Sequence, residues 1–303
     1  MFHGMMTIYK EAGYTSSDVV ARLRGILHMK KIGHTGTLDP DAEGVLPVCL
    51  GIGTKLCELI ADRDKEYIAV MRLGVTTDTQ DMSGEVQEQI SDEEVRLRVT
   101  PQKVKETAAE FMGEISQIPP MYSAVKVDGK RLYEYARAGR TVERKARNIT
   151  IYELEITSVD LPLVTMRVRC SKGTYIRTLC HDIGQKLGCG GTMQALERVS
   201  AGGFSIEHAI PLGRIEALAS ENRVQEFVTP CENLFSDCAR VAAPSALVQK
   251  KLLNGNALTP EELAIPSGQD SERIRLCTMD GTFVAVYRFD SQRNLYRPYR
   301  MLL

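Results

Sequence analysis

A glycine-rich stretch near the N-terminus constrains the chain more than any other part of the sequence. Residues 33–47 read GHTGTLDPDAEGVLP and place one carboxylate, Asp39, directly before Pro40. A proline biases the preceding residue away from the helical region and toward an extended backbone. The three glycines allow sharp turns and a close approach of the backbone to a ligand. We therefore expect a carboxylate on a stiff turn, with His34 nearby.

Several roles are open to such a carboxylate, and the surrounding sequence removes some of them. A P-loop needs a Gly-Lys-Ser/Thr ending, which the stretch lacks. A dinucleotide-binding loop needs three patterned glycines, and Gly51 and Gly53 lack the third. The five histidines show no metal-ligand spacing, so no metal site is expected. Two interpretations remain, a simple turn residue and a positioned nucleophile.

Composition limits the class of protein but hides a local charge asymmetry. The 303 residues predict about two domains of roughly 150 residues each. A net charge of −1 does not indicate a nucleic-acid binder. Residues 78–94, however, carry seven acids and no Lys or Arg, whereas residues 126–147 carry eight Lys or Arg against three acids, a net of +5. A polyanion would contact the second segment; a solvated loop is the alternative.

Cysteine usage and the N-terminus predict a cytosolic protein. The eight cysteines include no CxxC pair, and Cys49, Cys57 and Cys170 lie in apolar or strand-like runs. They are typical of reduced, buried cysteines. We expect no signal peptide and no membrane span, and we expect the methionines at 1, 5 and 6 to precede the folded part.

Periodicity predicts a mixture of strands and helices. Strand patterns cover 7–10, 67–73, 148–158 and 163–171, and a helix capped by Ser16 or Ser17 runs to about 28. A second helix is capped by Thr100 and ends at Gly113, and a third begins at 173–174 and stops at Gly188. Arg177 falls in the first turn of the third helix, where the helix dipole disfavours a cation. We therefore predict a compensating carboxylate near it.

Two further segments indicate RNA binding. Residues 117–147 interleave tyrosines with the basic cluster, which suits RNA because bases stack on rings while cations contact phosphates. We predict an insertion that projects from the sheet. After a linker at 220–245, strand patterns at 273–278 and 282–289 flank Met279-Asp280-Gly281 and predict a hairpin in a small basic β-domain.

Five separated motifs occur in one order along the chain. They are GHTGTLDP at 33–40, KEY at 65–67, QIPPMYSA at 117–124, LYEYAR at 132–137 and CSKGTYIRT at 170–178. In these motifs the sequence resembles the TruB family of tRNA pseudouridine synthases over most of residues 7–210. The basic tail resembles a PUA-type RNA-binding domain.

The resemblance implies a fold and an activity. The fold would be α+β, a mixed and largely antiparallel central sheet flanked by helices. A catalytic domain at 1–238, with a thumb insertion at about 117–147, would precede a PUA-like domain at 239–303. The protein would be a cytoplasmic monomer that isomerises the T-loop uridine (position 55) of tRNA to pseudouridine, with no cofactor, metal or guide RNA.

The resemblance also implies roles for individual residues. Asp39 would be the catalytic aspartate, Tyr67 would stack on the target base, and Arg177 would pair with Asp39, keep it ionised and lower its pKa. The further substrate-binding residues would be His34, Tyr175, Leu196 and Lys10, the last in a supporting role. The thumb residues expected to contact the RNA backbone are Lys126, Lys130, Arg131, Arg137 and Arg140. Asp41 and Glu43 depart from the family pattern and are expected to face away from the RNA.

Three other functions are compatible with parts of the sequence. A non-catalytic RNA-folding factor could use the same thumb and tail. The guide-RNA-dependent branch of the superfamily is disfavoured because this chain does not have its longer termini. An aspartyl-phosphate enzyme is remote, because Thr37-Leu38-Asp39 puts the aspartate at the wrong end of that motif.

Overall fold

Eighteen strands and nine α-helices make up the computed structural model, which describes residues 1–303. Strands β1 to β9 are Gly4–Lys10, Ile32–His34, Glu43–Leu50, Lys65–Leu73, Val75–Thr77, Val86–Gln89, Gly113–Gln117, Lys126–Val127 and Lys130–Arg131. Strands β10 to β18 are Arg147–Asp160, Leu163–Cys170, Gly191–Ala201, Phe204–Ser205, Ile210–Pro211, Ala239–Ala242, Arg273–Cys277, Phe283–Asp290 and Leu295–Met301. Helices α1 to α9 are Ser16–Ile26, Cys57–Ala61, Asp92–Arg98, Pro101–Ala109, Leu132–Arg137, Ile176–Leu187, Leu212–Ser220, Ala246–Leu253 and Pro260–Leu263. Short 3-10 helices cover Gly51–Leu56, Ile206–His208, Val224–Phe227 and Cys231–Phe235.

The central sheet has the order β14-β1-β3-β12-β4-β11-β10-β7, with β2 and β13 attached beside it. Only the pairs β1–β14 and β3–β12 are parallel. The predicted α+β fold with a mixed, largely antiparallel sheet is therefore confirmed. Buried and partly exposed residues alternate strictly along β4, which shows that one face of the strand is covered, because successive side chains of a strand point to opposite faces.

Two hydrophobic clusters hold helices against this sheet. In a cluster of 23 buried residues, α4 and α6 pack with β4, β10 and β11. In a second cluster of 17, α1 and α7 pack with β1 and β3. No helix is long and apolar enough to cross a membrane.

A separate four-stranded sheet, β15-β16-β17-β18, forms the C-terminal part together with α8 and α9. The predicted hairpin is confirmed, since β16 and β17 pair antiparallel on either side of residues 278–282. A junction cluster of nine buried residues joins this sheet to the rest of the chain, and Met5, Cys49, Phe235 and Val286 belong to it.

Two expectations about irregular segments were wrong. Met5 and Met6 do not precede the fold, because both are fully buried in β1, one against the junction cluster and the other against the α1 and α7 side. Residues 220–245 are not a linker, because Val224 and Phe235 are buried and the backbone of Thr229 pairs with that of Met5. The buried residues Val224 and Phe235 are surrounded in the sequence by small and polar residues, so the segment shows no apolar periodicity.

Two helix ends also differ from the expectation. The cap of α1 is Thr15, which forms a capping box with Asp18, while Ser16 is already the first helical residue. Helix α4 begins after Thr100 as predicted, but it ends at Ala109. Gly113, with a φ of 88°, begins β7 instead.

Residues 118–146 leave and re-enter the sheet at neighbouring points. Gln117, the last residue of β7, lies opposite Arg147, the first residue of β10, in the antiparallel pair at the sheet edge. Between them the chain forms β8, β9 and α5. We call residues 118–146 the thumb segment.

Candidate active site

The loop between β2 and β3 carries Asp39 and is fixed by polar side chains from outside it. Lys10 Nζ donates to Pro40 O at 2.9 Å. Ser16 Oγ accepts a hydrogen bond from Leu38 N at 2.9 Å. The residues on either side of Asp39 are thus both tied down, and its carboxylate has a defined direction although 39% of its side-chain surface remains accessible.

Arg177 meets this carboxylate from the first turn of α6. Its Nη2 donates to Asp39 Oδ1 at 3.3 Å. Its Nε lies 2.9 Å from Oδ2, in a direction that makes the contact an ion pair rather than a hydrogen bond. The Arg177 side chain is only 5% exposed, so the cation of this pair is shielded from water, while the carboxylate keeps part of its surface accessible. The structure thus brings together the cation and the carboxylate that the sequence analysis paired.

The same guanidinium has three more partners. Its Nη1 donates to Thr79 O at 2.9 Å and lies 3.3 Å from Asp81 Oδ2, while its Nη2 donates to Tyr122 O at 2.8 Å. Two carboxylates therefore compensate a cation at a helix N-terminus, where one was expected. Asp81 belongs to the acidic segment at 78–94, which the sequence analysis placed away from a polyanion.

The predicted direction of the Asp39 pKa was wrong. Burial raises the pKa of Asp39, and the negative charges of Asp81 and Asp41 add to the rise. Arg177 and Lys10 lower the pKa but do not offset the burial. Asp39 therefore needs a higher pH for ionisation than a free aspartate does.

A cavity of about 280 Å³ opens beside Asp39, and Tyr67, Tyr175 and Leu196 contribute to its wall. Tyr67 projects from β4, is 8% exposed, and has a pKa raised by burial. Leu196 projects from β12, the neighbouring strand. An aromatic ring, an aliphatic side chain and a carboxylate around one small cavity form a suitable site for a planar, partly polar group.

Gln117 holds the backbone of Tyr175. Its side-chain Nε2 donates to Tyr175 O at 3.0 Å, and its Oε1 accepts from Tyr175 N at 2.8 Å. The amide is 2% exposed, so both bonds are shielded from water. Tyr175 directly precedes α6, and Arg177 follows it by two residues. This pair of hydrogen bonds therefore fixes the start of the helix that carries Arg177.

His34 and Lys10 lie around the Asp39 loop and do not line the cavities beside Asp39. His34 ends β2 and is half-buried, outside the walls of the cavities beside Asp39. Burial and the cation of Arg198 lower its pKa. Lys10 is fully buried with its ammonium on the carbonyls of Glu11 and Pro40, so it supports the loop rather than facing a substrate.

Comparison with known proteins assigns the chain to a family. Residues 24–176 match the model described as "TruB family pseudouridylate synthase (N terminal domain)". Residues 177–236 match the model described as "tRNA pseudouridylate synthase B C-terminal domain". A relative from Lachnoclostridium phytofermentans, named tRNA pseudouridine synthase B, is 45% identical and covers 99% of this chain and 100% of its own. One of the same name from Latilactobacillus sakei is 40% identical, covering 99% and 97%.

The chain belongs to the TruB family of pseudouridylate synthases. Among solved structures, a Cbf5-Nop10-Gar1 complex is similar to this TruB-family chain with a TM-score of 0.73 and 27% identity, covering 99% of this chain and 85% of that one. A second, an H/ACA RNP bound to a substrate RNA containing 2'-deoxyuridine, has a TM-score of 0.72 at 24% identity. The second likeness concerns the fold alone.

The thumb segment of this TruB-family chain presents free cations. Lys126, Lys130, Arg131, Arg137 and Arg140 are all exposed. None of them has a carboxylate within 4.0 Å, whereas eighteen such ion pairs occur elsewhere in the chain. The guanidinium groups of Arg131 and Arg137 lie 5.8 and 5.4 Å from the centre of the Tyr133 ring. Tyr133 and Arg137 also face a larger cavity of about 700 Å³ that adjoins Asp39.

Sequence reasoning missed three polar residues of this TruB-family site: the buried Gln117 and Arg198, and the partly buried Asp81. Arg198 lines the smaller cavity from β12 and is 1% exposed. Its strand mixes polar and apolar residues, and Glu197 directly precedes Arg198, so the local sequence gave no signal that this cation is buried. No group of three or more His, Cys, Asp or Glu side chains is arranged to hold a metal ion.

Proposed function

We propose that this chain isomerises the T-loop uridine (position 55) of tRNA to pseudouridine. The observation that carries the proposal is the ionic contact of Asp39 with Arg177 beside a small cavity lined by Tyr67 and Leu196. The relatives that are 40–48% identical bear the name tRNA pseudouridine synthase B, which supports tRNA as the substrate.

The reaction needs a base that has left its stack. Flipping a nucleotide out of an RNA loop costs a few kcal/mol, and the pocket must supply stacking partners. In the proposed complex the Tyr67 ring and the Leu196 side chain cover the uracil, and Tyr175 closes the remaining wall. His34 contacts the RNA where the uridine has left the loop, while the cations of the thumb segment contact its backbone.

Asp39 acts at the glycosidic bond in this proposal. The bond between C1′ and N1 breaks, the uracil turns, and C5 forms the new bond to C1′. The C5 proton then leaves near Tyr67 and N1 takes up a proton, so the product is an isomer of the substrate. Asp39 either acts on the ribose C1′ side or abstracts a proton as the base detaches. Both routes require an ionised carboxylate, and Arg177 stabilises that charge.

The proposed enzyme works as a cytoplasmic monomer without guide RNA, metal or cofactor. The two solved structures with a similar fold are multi-component assemblies, an H/ACA RNP bound to a substrate RNA and a Cbf5-Nop10-Gar1 complex. The question is therefore whether the purified protein selects its target uridine without an added protein or RNA. Modification of an unmodified tRNA transcript by the purified protein would support the stand-alone assignment, and a requirement for added RNA would refute it.

Pseudouridine mapping of a T-arm transcript tests the activity and its site together. Wild-type protein is expected to modify one T-loop uridine, and Asp39→Asn is expected to bind the transcript without modifying it. Asp41→Asn serves as the matched control, because it removes an exposed carboxylate from the same loop and should retain the wild-type rate within a few-fold. Loss of activity in the control, or residual activity in Asp39→Asn, would contradict the assigned role.

A second function is favoured by one observation. The five exposed thumb cations lack carboxylate partners, which suffices for salt-dependent RNA binding without chemistry. A tRNA-folding role is therefore our second candidate. Asp39→Asn should still accelerate the refolding of misfolded tRNA, and loss of that acceleration together with modification would exclude the separate role.

A further inference from the structure

The largest fully buried side chain of the molecule is a cation with no anionic partner. Arg198, on β12, is 1% exposed, and no carboxylate lies within 4.0 Å of its guanidinium. The neighbouring Glu197 is engaged elsewhere, accepting a hydrogen bond from the Tyr9 hydroxyl at 3.1 Å. A buried charge without a counter-ion is costly unless its hydrogen-bonding groups are used. The position therefore requires a reason other than packing.

The guanidinium bonds to both ends of the loop that carries Asp39. Its Nε donates to Val45 O at 2.7 Å, and its Nη2 donates to Gly36 O at 3.2 Å. These carbonyls lie on opposite sides of Asp39 along the chain. One rigid, planar group thus sets the separation of the two ends of the loop, because the donors of a guanidinium keep a fixed geometry that a flexible lysine side chain does not have.

The same residue lies directly across from Tyr67. In the antiparallel pair of β12 and β4, Arg198 is the register partner of Tyr67, so the two side chains are neighbours on one face of the sheet. In the parallel pair of β12 and β3, its partner is Gly44, which has no side chain. Both Arg198 and Tyr67 line the cavity beside Asp39. The positive charge also opposes the rise in the Tyr67 pKa that burial causes.

We propose that Arg198 is a positioning residue of the active site, which ties the Asp39 loop to Tyr67 and so fixes the spacing of carboxylate and ring around the target base. The proposal rests on the proposed function. It assigns no contact with substrate to Arg198, which acts through its two carbonyl partners and its cross-strand neighbour. Its loss should therefore slow the chemical step and leave RNA affinity unchanged.

Two variants of different severity test this role. Arg198→Lys keeps the charge and most of the length but loses the planar guanidinium, whose donors reach Val45 O and Gly36 O from fixed relative positions. Arg198→Met keeps much of the volume and removes charge and donors. Arg167→Met is the matched control, since Arg167 lies on β11, on the far side of β4 from β12, and half of its side-chain surface is exposed. Circular dichroism and urea unfolding establish that each variant is folded.

The readouts are the single-turnover rate of pseudouridine formation and the Kd for a T-arm transcript. We expect Arg198→Lys to reduce the rate at least about tenfold and Arg198→Met more, with both Kd values within about threefold of wild type. In a Tyr67→Phe background the further loss caused by Arg198→Lys should shrink, because the two residues act as a unit. The Arg167→Met control should match wild type.

The possible outcomes distinguish a failure of the Arg198 positioning role from a failure of the proposed pseudouridine synthase activity. An inactive wild type would overturn the proposed function. An active wild type with a folded, equally active Arg198→Lys would overturn only the positioning role. A rate loss explained by weaker binding, or one that multiplies fully with that of Tyr67→Phe, would likewise refute the link between Arg198 and Tyr67.

Discussion

Gln117→Glu should make the stability of the protein depend on pH in a way that wild type does not share. The substitution is nearly isosteric and replaces Nε2 by an oxygen 3.0 Å from Tyr175 O. A protonated glutamic acid can still donate to this carbonyl and accept from Tyr175 N. An ionised one cannot donate, and it sets a buried negative charge beside a carbonyl oxygen at a site that is 2% exposed. Burial therefore raises the pKa of the introduced carboxyl group in the folded variant.

The loss in the free energy of unfolding follows from the difference between the pKa values of the introduced carboxyl group in the folded and unfolded states. A free glutamate has a pKa of about 4.3, and a rise of about two units on burial is moderate for such a site. Below pH ~4.3 the group is protonated in both states, and the variant should be nearly as stable as wild type. As the pH rises, the unfolded chain ionises first, and stability falls by about 1.4 kcal/mol per unit until the folded group also ionises. The loss at pH 7 is then about 2.7 kcal/mol.

Urea unfolding of both proteins at pH 5 and pH 8 measures this difference directly. The free-energy gap between wild type and Gln117→Glu should widen from about 1 kcal/mol at pH 5 to about 2–3 kcal/mol at pH 8. Gln225→Glu, an exposed site without a side-chain hydrogen bond, should show no such widening. A gap that stayed constant with pH, or that closed as pH rose, would refute the argument that both amide atoms are needed in a dry environment.

Three further predictions concern the loop, the thumb segment and the sheet. The modification rate should fall as Asp39 protonates, with the midpoint of the acid limb above ~3.9 because burial raises its pKa; a midpoint at or below that value, with circular dichroism showing intact protein, would contradict this. The double variant Lys130→Ala, Arg137→Ala should weaken tRNA binding and reduce the slope of log K against log salt by about 1 for each phosphate that the variant no longer neutralises, and an unchanged slope would remove these residues from the interface. Gly44→Ala should lower the free energy of unfolding measured in urea by at least about 2 kcal/mol. Gly44 has a φ of 101°, and an added Cβ would lie 2.8 Å from Arg198 N. Gly25→Ala in α1, where an added Cβ meets no atom within 4 Å, should not destabilise the protein.

The regular elements could be predicted because their signals are local. Alternation along β4 and β11 and the cap at Thr100 depend on residues a few positions apart, and the structure follows them. The segments at the N-terminus and at 220–245 could not be predicted this way. Their buried residues are held by chain-distant partners, such as Thr229 on Met5, which no local period records.

The residues of the candidate site likewise fall into those with a local sequence signal and those without one. A carboxylate near Arg177 could be predicted because a cation in the first turn of a helix is locally unfavourable. Asp39 could be singled out because it lies in a glycine-rich turn before a proline. Asp81, Gln117 and Arg198 are ordinary residues of their elements when the sequence alone is considered. Their importance lies in the atoms they reach across the fold, and the two carbonyls that Arg198 holds are 153 and 162 residues away from it along the chain.

The sign of the Asp39 pKa shows why pairing cannot be assessed separately from burial. The contact with Arg177 suggested a lowered pKa, because an opposite charge favours ionisation. The same contact is possible only because the loop turns Asp39 inward beside a guanidinium that is 5% exposed, and removal from water disfavours the charged form. Arg177 is moreover shared with Asp81, whose negative charge acts on Asp39 in the opposite sense. A carboxylate whose charged form is less stabilised than that of a free aspartate is more basic than a surface aspartate, and this suits the role at the glycosidic bond that we propose for Asp39.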